Sequence, residues 1–178
     1  MRIALLLCLG LLCGLPAGHA AERQPARVKA AFILNIARFV EWPASAFEGH
    51  ESELWLCLLR EDPFGEALDA IRGKYVGARG LSVAVVNSLE ETKGCNVLFI
   101  PPSQLAWFKE RMANKLSAPL LTVTDLTDAA NMDGGQGVAM VTLVRAATRI
   151  GIEIHLEHAR QAGLKLSSEL LKLGKILE

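Results

Sequence analysis

The 178-residue chain carries no surplus of charge, nineteen Lys and Arg against nineteen Asp and Glu. That balance speaks against nucleic acid or an anionic membrane surface as a partner. There is no glycine-flanked serine, no Cys-x-x-Cys and no paired carboxylate with an evident site, so the sequence signs of nucleophilic, redox or acid–base catalysis are missing. Past residue 20 there is no second membrane segment, repeat or low-complexity region. The one glycine-rich stretch, Asp133-Gly134-Gly135-Gln136-Gly137, precedes an apolar strand-like run and lacks both the Lys-Ser of a phosphate loop and dinucleotide spacing. It is a turn entering a strand.

Cysteine is scarce, and two of the four sit in an N-terminal stretch with the pattern of a leader. Arg2 precedes an apolar segment from Ile3 to Leu15, Pro16 breaks it, and Gly18-His19-Ala20 supplies small residues. Residues 1–20 are therefore expected to be a secretory signal peptide cleaved after Ala20, leaving residues 21–178 as a single domain. Cys13 would suit a lipidation site only if a small residue replaced Leu12. The mature chain keeps Cys57 and Cys95, an even count in an oxidising compartment, which favours a disulfide. Two buried thiols packing as small hydrophobes are the alternative.

The domain is organised around two short apolar runs, Leu54-Trp55-Leu56-Cys57-Leu58-Leu59 and Cys95-Asn96-Val97-Leu98-Phe99-Ile100. Both are too short for helices and are expected as strands buried on both faces, with Trp55 in the core. A helix is expected from Arg27 to Trp42, ended by Pro43. Its apolar residues cover more than one stripe, while Arg27, Asn35, Arg38 and Glu41 share an arc. Such a helix lies between sheet and loop, or turns part of its face to another subunit or partner; Phe32, Asn35, Arg38, Phe39 and Trp42 are the candidate surface.

Further along, Asp62-Pro63 starts a helix with Phe64, Leu68 and Ile71 inward, and Leu81–Val86 is a strand. Ser88-Leu89-Glu90-Glu91 is a capping box, and Ser103 caps a helix from Gln104 to about Lys115. Leu120–Thr124 is a strand, and Asp125–Met132 a brief helix. The alternation implies an α/β fold with a mostly parallel sheet. Val138–Val144 and Ile150–Leu156 are joined too closely for anything but an antiparallel hairpin. The tail holds two short helices broken around Gly163-Leu164-Lys165-Leu166, the second capped by Ser167 or Ser168.

Candidates for chemistry are few. His50, His155 and His158 remain after the leader, and the His155/His158 pair lacks a third convergent ligand. Trp42, Trp107 or His155 could line a small-ligand pocket.

Taken in order, several stretches resemble the YfiR family of small periplasmic regulators. They are Val28-Lys29-Ala30-Ala31-Phe32 running to Val40-Glu41-Trp42-Pro43, Leu56-Cys57-Leu58 with Asp62-Pro63-Phe64-Gly65, and the Cys95–Ile100 run. Leu121-Thr122-Val123-Thr124-Asp125 with Gly134-Gly135, then Ala162–Ser168 with Leu170-Leu171-Lys172-Leu173, complete the set. The resemblance implies a three-layer α/β/α sandwich, a homodimer, no catalytic activity and a Cys57–Cys95 disulfide; the sheet within it is expected to be mixed, mostly parallel and ending in the antiparallel hairpin, and no cofactor or metal is expected. It implies a periplasmic inhibitor that binds the periplasmic part of an inner-membrane diguanylate cyclase and lowers cyclic-di-GMP output, with an outer-membrane lipoprotein as a further partner. A periplasmic small-ligand sensor on the same scaffold is the other reading. His155 stands where relatives usually have asparagine, and the second cysteine pair of some relatives is missing.

Overall fold

The computed structural model describes residues 18–47, 53–88, 90–112, 119–128 and 137–177. The apolar part of the expected leader, His50, the Gly134-Gly135 turn, the far end of the helix expected to reach Lys115 and most of the brief helix after Asp125 lie outside the described residues. No helix among those described is long and apolar enough to cross a membrane.

In chain order the elements are α1 (Gly18–Arg38), β1 (Val40–Glu41), β2 (Leu54–Leu59), β3 (Tyr75–Val76), β4 (Arg79–Val86), β5 (Val97–Ile100) and α2 (Leu105–Met112). There follow β6 (Leu121–Asp125), β7 (Val141–Ala146), β8 (Arg149–His155), α3 (Leu156–Gln161), β9 (Lys165–Leu166), α4 (Ser168–Leu173) and β10 (Gly174–Leu177). Eight strands form one sheet in the order β10-β8-β7-β6-β5-β2-β4-β3. The inner strands β4, β2, β5, β6 and β7 run parallel, and β7 and β8 form the expected antiparallel hairpin. The α/β class and the mixed, mostly parallel sheet are as anticipated. Two pairings add to it: β3 folds back on β4 through Gly77, and β10 joins β8 in parallel beyond the hairpin.

Alternation along β2 divides its side chains between two cores. Leu54, Leu56 and Leu58 are fully buried against α1, with Phe64, Leu68 and Ile71 beside them. Each such leucine contributes about 2 kcal/mol of apolar burial. Cys57 and Leu59 face the other way, toward Leu105 and Phe108 of α2. Because α2 covers only the part of that face near the strands' C-terminal ends, Trp55 is not a core residue: it is 38% exposed.

The helix expected to run to Trp42 stops at Arg38. Val40 and Glu41 pair instead with Leu166 and Lys165 in the small ladder β1–β9, and the Ser167 amide donates to the Phe39 carbonyl. The Trp42 indole N–H donates to the Ala37 carbonyl at 3.1 Å, satisfying one of the acceptors that a helix end leaves open. Ser167 is the cap of α4, accepting from the Leu170 amide, but the tail's last residues are a strand and not helix. Ser103 lies inside a short turn before α2, and its hydroxyl bonds to Glu61 rather than capping.

Candidate functional site

Among the described residues, several places on this frame bring polar or aromatic groups together. The first is the outer face of α1. Periodicity buries Ala30, Ile33, Leu34, Ile36 and Ala37, which leaves Arg27, Val28, Ala31, Asn35 and Arg38 in solvent. Phe32, Phe39 and Trp42 are half-buried against the core edge, so their rims border the exposed strip. Arg38 is held by two bonds, to the Tyr75 carbonyl at 2.9 Å and to Asn35 Oδ1 at 3.2 Å. Tyr75 itself is 65% exposed, extending the strip onto β3.

The second is a groove of about 340 Å³ on the opposite face. Cys57 on β2 and Cys95 just before β5 are bonded across it, their Cα atoms 5.9 Å apart and 38 residues apart in the chain. Trp55, Phe47, Ala84 and Val86 complete its walls. Asn96 anchors it: its backbone amide donates to the Trp55 carbonyl, its side-chain oxygen accepts from the Trp55 amide, and its side-chain nitrogen donates to the Ala46 carbonyl. Every polar atom of this buried amide thus has a role, as burial requires.

The third is a cleft of about 440 Å³ at the C-terminal ends of β2 and β4, lined by Arg60, Asn87, Glu90, Trp107, Glu110 and Arg111. The Arg60 guanidinium carbon sits over the Trp107 ring, 4.0 Å from its centroid, and that of Arg111 approaches the same ring at 5.6 Å. Trp107 was legible in the sequence as an aromatic outside the Leu105/Phe108 stripe. Arg60 and Arg111 were not, because nothing local marks an arginine that will meet an indole from another element.

A family model described as YfiR/HmsC-like (DUF4154) matches residues 26–175. The chain belongs to that family. No curated protein matches it. Membership in the YfiR/HmsC-like family supports a regulatory assignment over an enzymatic one at the level of the family. Among the described residues no three His, Cys, Asp or Glu side chains converge as a metal site would need.

His155, the departure noted within this YfiR/HmsC-like sequence, lies at the end of β8, the antiparallel strand of the hairpin. It is therefore at the opposite edge of the sheet from Trp107, and the structure does not bring the two pocket candidates together. Its ring stacks on His158 at 5.2 Å between centroids and lies under Gly137. Burial, then the neighbouring His158, pushes its pKa below the usual histidine value, against an opposing pull from Glu153. Its Nε2 is buried and has no hydrogen-bond partner among the described residues, and the same holds for the Thr142 hydroxyl on the adjoining strand.

A last cluster fixes α1. Lys29 pairs with Asp125 at 2.8 Å and with Asp128, and Arg145 reaches Asp128 at 2.9 Å. Burial lowers the Lys29 pKa, but the two aspartates outweigh it and the net shift is upward.

Proposed function

We propose that the chain is exported by cleavage after Ala20 and acts in the periplasm, as a homodimer, to inhibit an inner-membrane diguanylate cyclase. It binds the cyclase's periplasmic part and lowers cyclic-di-GMP output, and an outer-membrane lipoprotein relieves the inhibition by taking the regulator away. The family match over residues 26–175 carries this reading.

Such a regulator works by differential binding: it holds the cyclase in an arrangement whose catalytic halves do not meet. Moving an even balance to about 1:99 takes roughly a hundredfold preference for the inactive arrangement, about 2.7 kcal/mol. No active site is needed for that, only a surface. The exposed Asn35 and Arg38 strip with its aromatic borders is the proposed contact.

The test is deletion and overproduction beside a neighbouring cyclase, with cyclic-di-GMP measured in each strain. Deletion should raise it and overproduction lower it, and Asn35→Lys should behave like the deletion while melting like the parent. Unchanged cyclic-di-GMP in both the deletion and the overproducer counts against the proposal. The cleft at Trp107 favours a second reading, a small-ligand sensor on the same scaffold, whose site is developed next.

A further inference from the structure

The cleft at Trp107 opens at the carboxyl ends of β2 and β4, beside the place where an open α/β sheet takes its ligands. Chain order reverses between β2 and β5: the segment after β2 crosses on the α1 side, with Phe64, Leu68 and Ile71 in that core, whereas α2 after β5 crosses on the other. A crevice outside the carboxyl ends of those two strands is the usual binding position in such sheets. At that switch point Glu61, following β2, and Ser103, following β5, are hydrogen-bonded to each other, and the cleft opens on the β4 side of this bridge.

Arg60 sits at this crevice in a conformation that costs the fold something. Its φ is +67°, and the Glu61 amide donates to the Leu59 carbonyl around it, a tight turn of the left-handed kind. Non-glycine residues held so collect at ligand clamps. The consequence here is an aimed side chain: the Arg60 guanidinium carbon sits 4.0 Å from the Trp107 ring centroid, a cation–π contact that uses the ring's face and none of the guanidinium N–H donors. Among the described residues neither Arg60 nor Arg111 has a carboxylate within ion-pair distance. Glu90 and Glu110, on the same walls, are acceptors for hydroxyl groups, and Asn87 adds both a donor and an acceptor.

We propose that this cleft binds a small hydroxylated carboxylate, the chemistry of a sugar acid, with Arg60 and Arg111 on the carboxylate and Glu90, Glu110 and Asn87 on the hydroxyls. The volume suits a ligand of that size. The site needs no cyclase, so its test is independent of the inhibitory role.

Isothermal titration of the purified mature protein with glucuronate, glucose and acetate reads it out. Glucuronate should bind saturably, and glucose and acetate each about tenfold or more weaker, the loss of a charge-assisted fork or of the hydroxyl contacts. Arg60→Gly separates function from structure, because glycine relieves the left-handed turn. It should weaken glucuronate about tenfold or more with a melting temperature equal to or above the parent's, and Arg111→Gln should weaken it similarly. Absence of saturable glucuronate binding, glucose or acetate binding as tightly, or parental affinity in Arg60→Gly would each overturn the proposal.

Discussion

Replacing both Cys57 and Cys95 with alanine is the most quantitative perturbation the structure offers. The bond closes a loop of 38 residues between two central strands. Opening it returns to the unfolded chain about 13 cal/mol/K of entropy, which destabilises the fold by about 4 kcal/mol at 25 °C. Both sulfurs are nearly buried, Cys57 at 2% and Cys95 at 8% exposure, so their removal adds on the order of 0.5–1 kcal/mol of lost packing each. Against a total stability of about 5–15 kcal/mol the combined loss takes a third or more of the whole, so the variant should show a much lower urea midpoint. The denaturant slope should rise as well, because an unlinked denatured chain exposes more surface. Equilibrium urea unfolding of the parent, the double variant and the parent in dithiothreitol provides the comparison; the reduced parent should lose the loop-closure contribution alone and so lie about 1–2 kcal/mol above the double variant. A loss below about 1 kcal/mol with an unchanged slope would refute the loop-closure reasoning.

Four further outcomes are expected. Lys29→Met leaves the carboxylate of Asp125, only 12% exposed, without its cation and should cost about 1–2 kcal/mol in chemical denaturation. Lys29 beside Asp128 holds that carboxyl below its usual range, so the stability it lends is present above the unfolded carboxylate pKa and lost as pH falls through the folded one; Asp128 is largely exposed, so Asp128→Asn should remove less than about 1 kcal/mol of this acid limb, and less still in salt. His155 has a depressed pKa, so the unfolded chain takes up its proton first: melting temperature should fall as pH drops below about 6.5, and His155→Asn should shallow that fall. A Cβ at Gly174 would come within 2.6 Å of Ile154 Cδ1, so Gly174→Ala should cost about 1–3 kcal/mol and speed hydrogen exchange of the β10 amides.

The strands β2 and β5 were legible because a run of four to six apolar residues, ended sharply by charge or proline, is too short for a helix and long enough for a buried strand. The short hairpin link and the Phe64/Leu68/Ile71 stripe were legible for equally local reasons. The pairings β1–β9 and β8–β10 were not, since two to four residues carry no period and their partners come from distant segments. Helix α1 therefore ends four residues early, its continuation drawn into a ladder with the tail. Trp55 failed for another reason: an all-apolar strand hides which of its positions the second layer leaves bare, and that depends on how far α2 extends. At the cleft, composition pointed to Trp107, whereas the backbone sign at Arg60 and its stacking exist only once β2 and α2 are assembled.

The small ladder between β1 and β9 ties the end of the first helix to residues close to the other terminus. A growing or partly delivered polypeptide accordingly has no way to seal α1 until Lys165–Ser167 arrives, however much of the sheet has already formed. Under the export proposed above, in which the chain crosses a membrane as a loose thread, that timing would postpone the final commitment until passage is nearly over. A premature stop ahead of Lys165 would accordingly yield not a shortened domain but an open chain exposed to proteases.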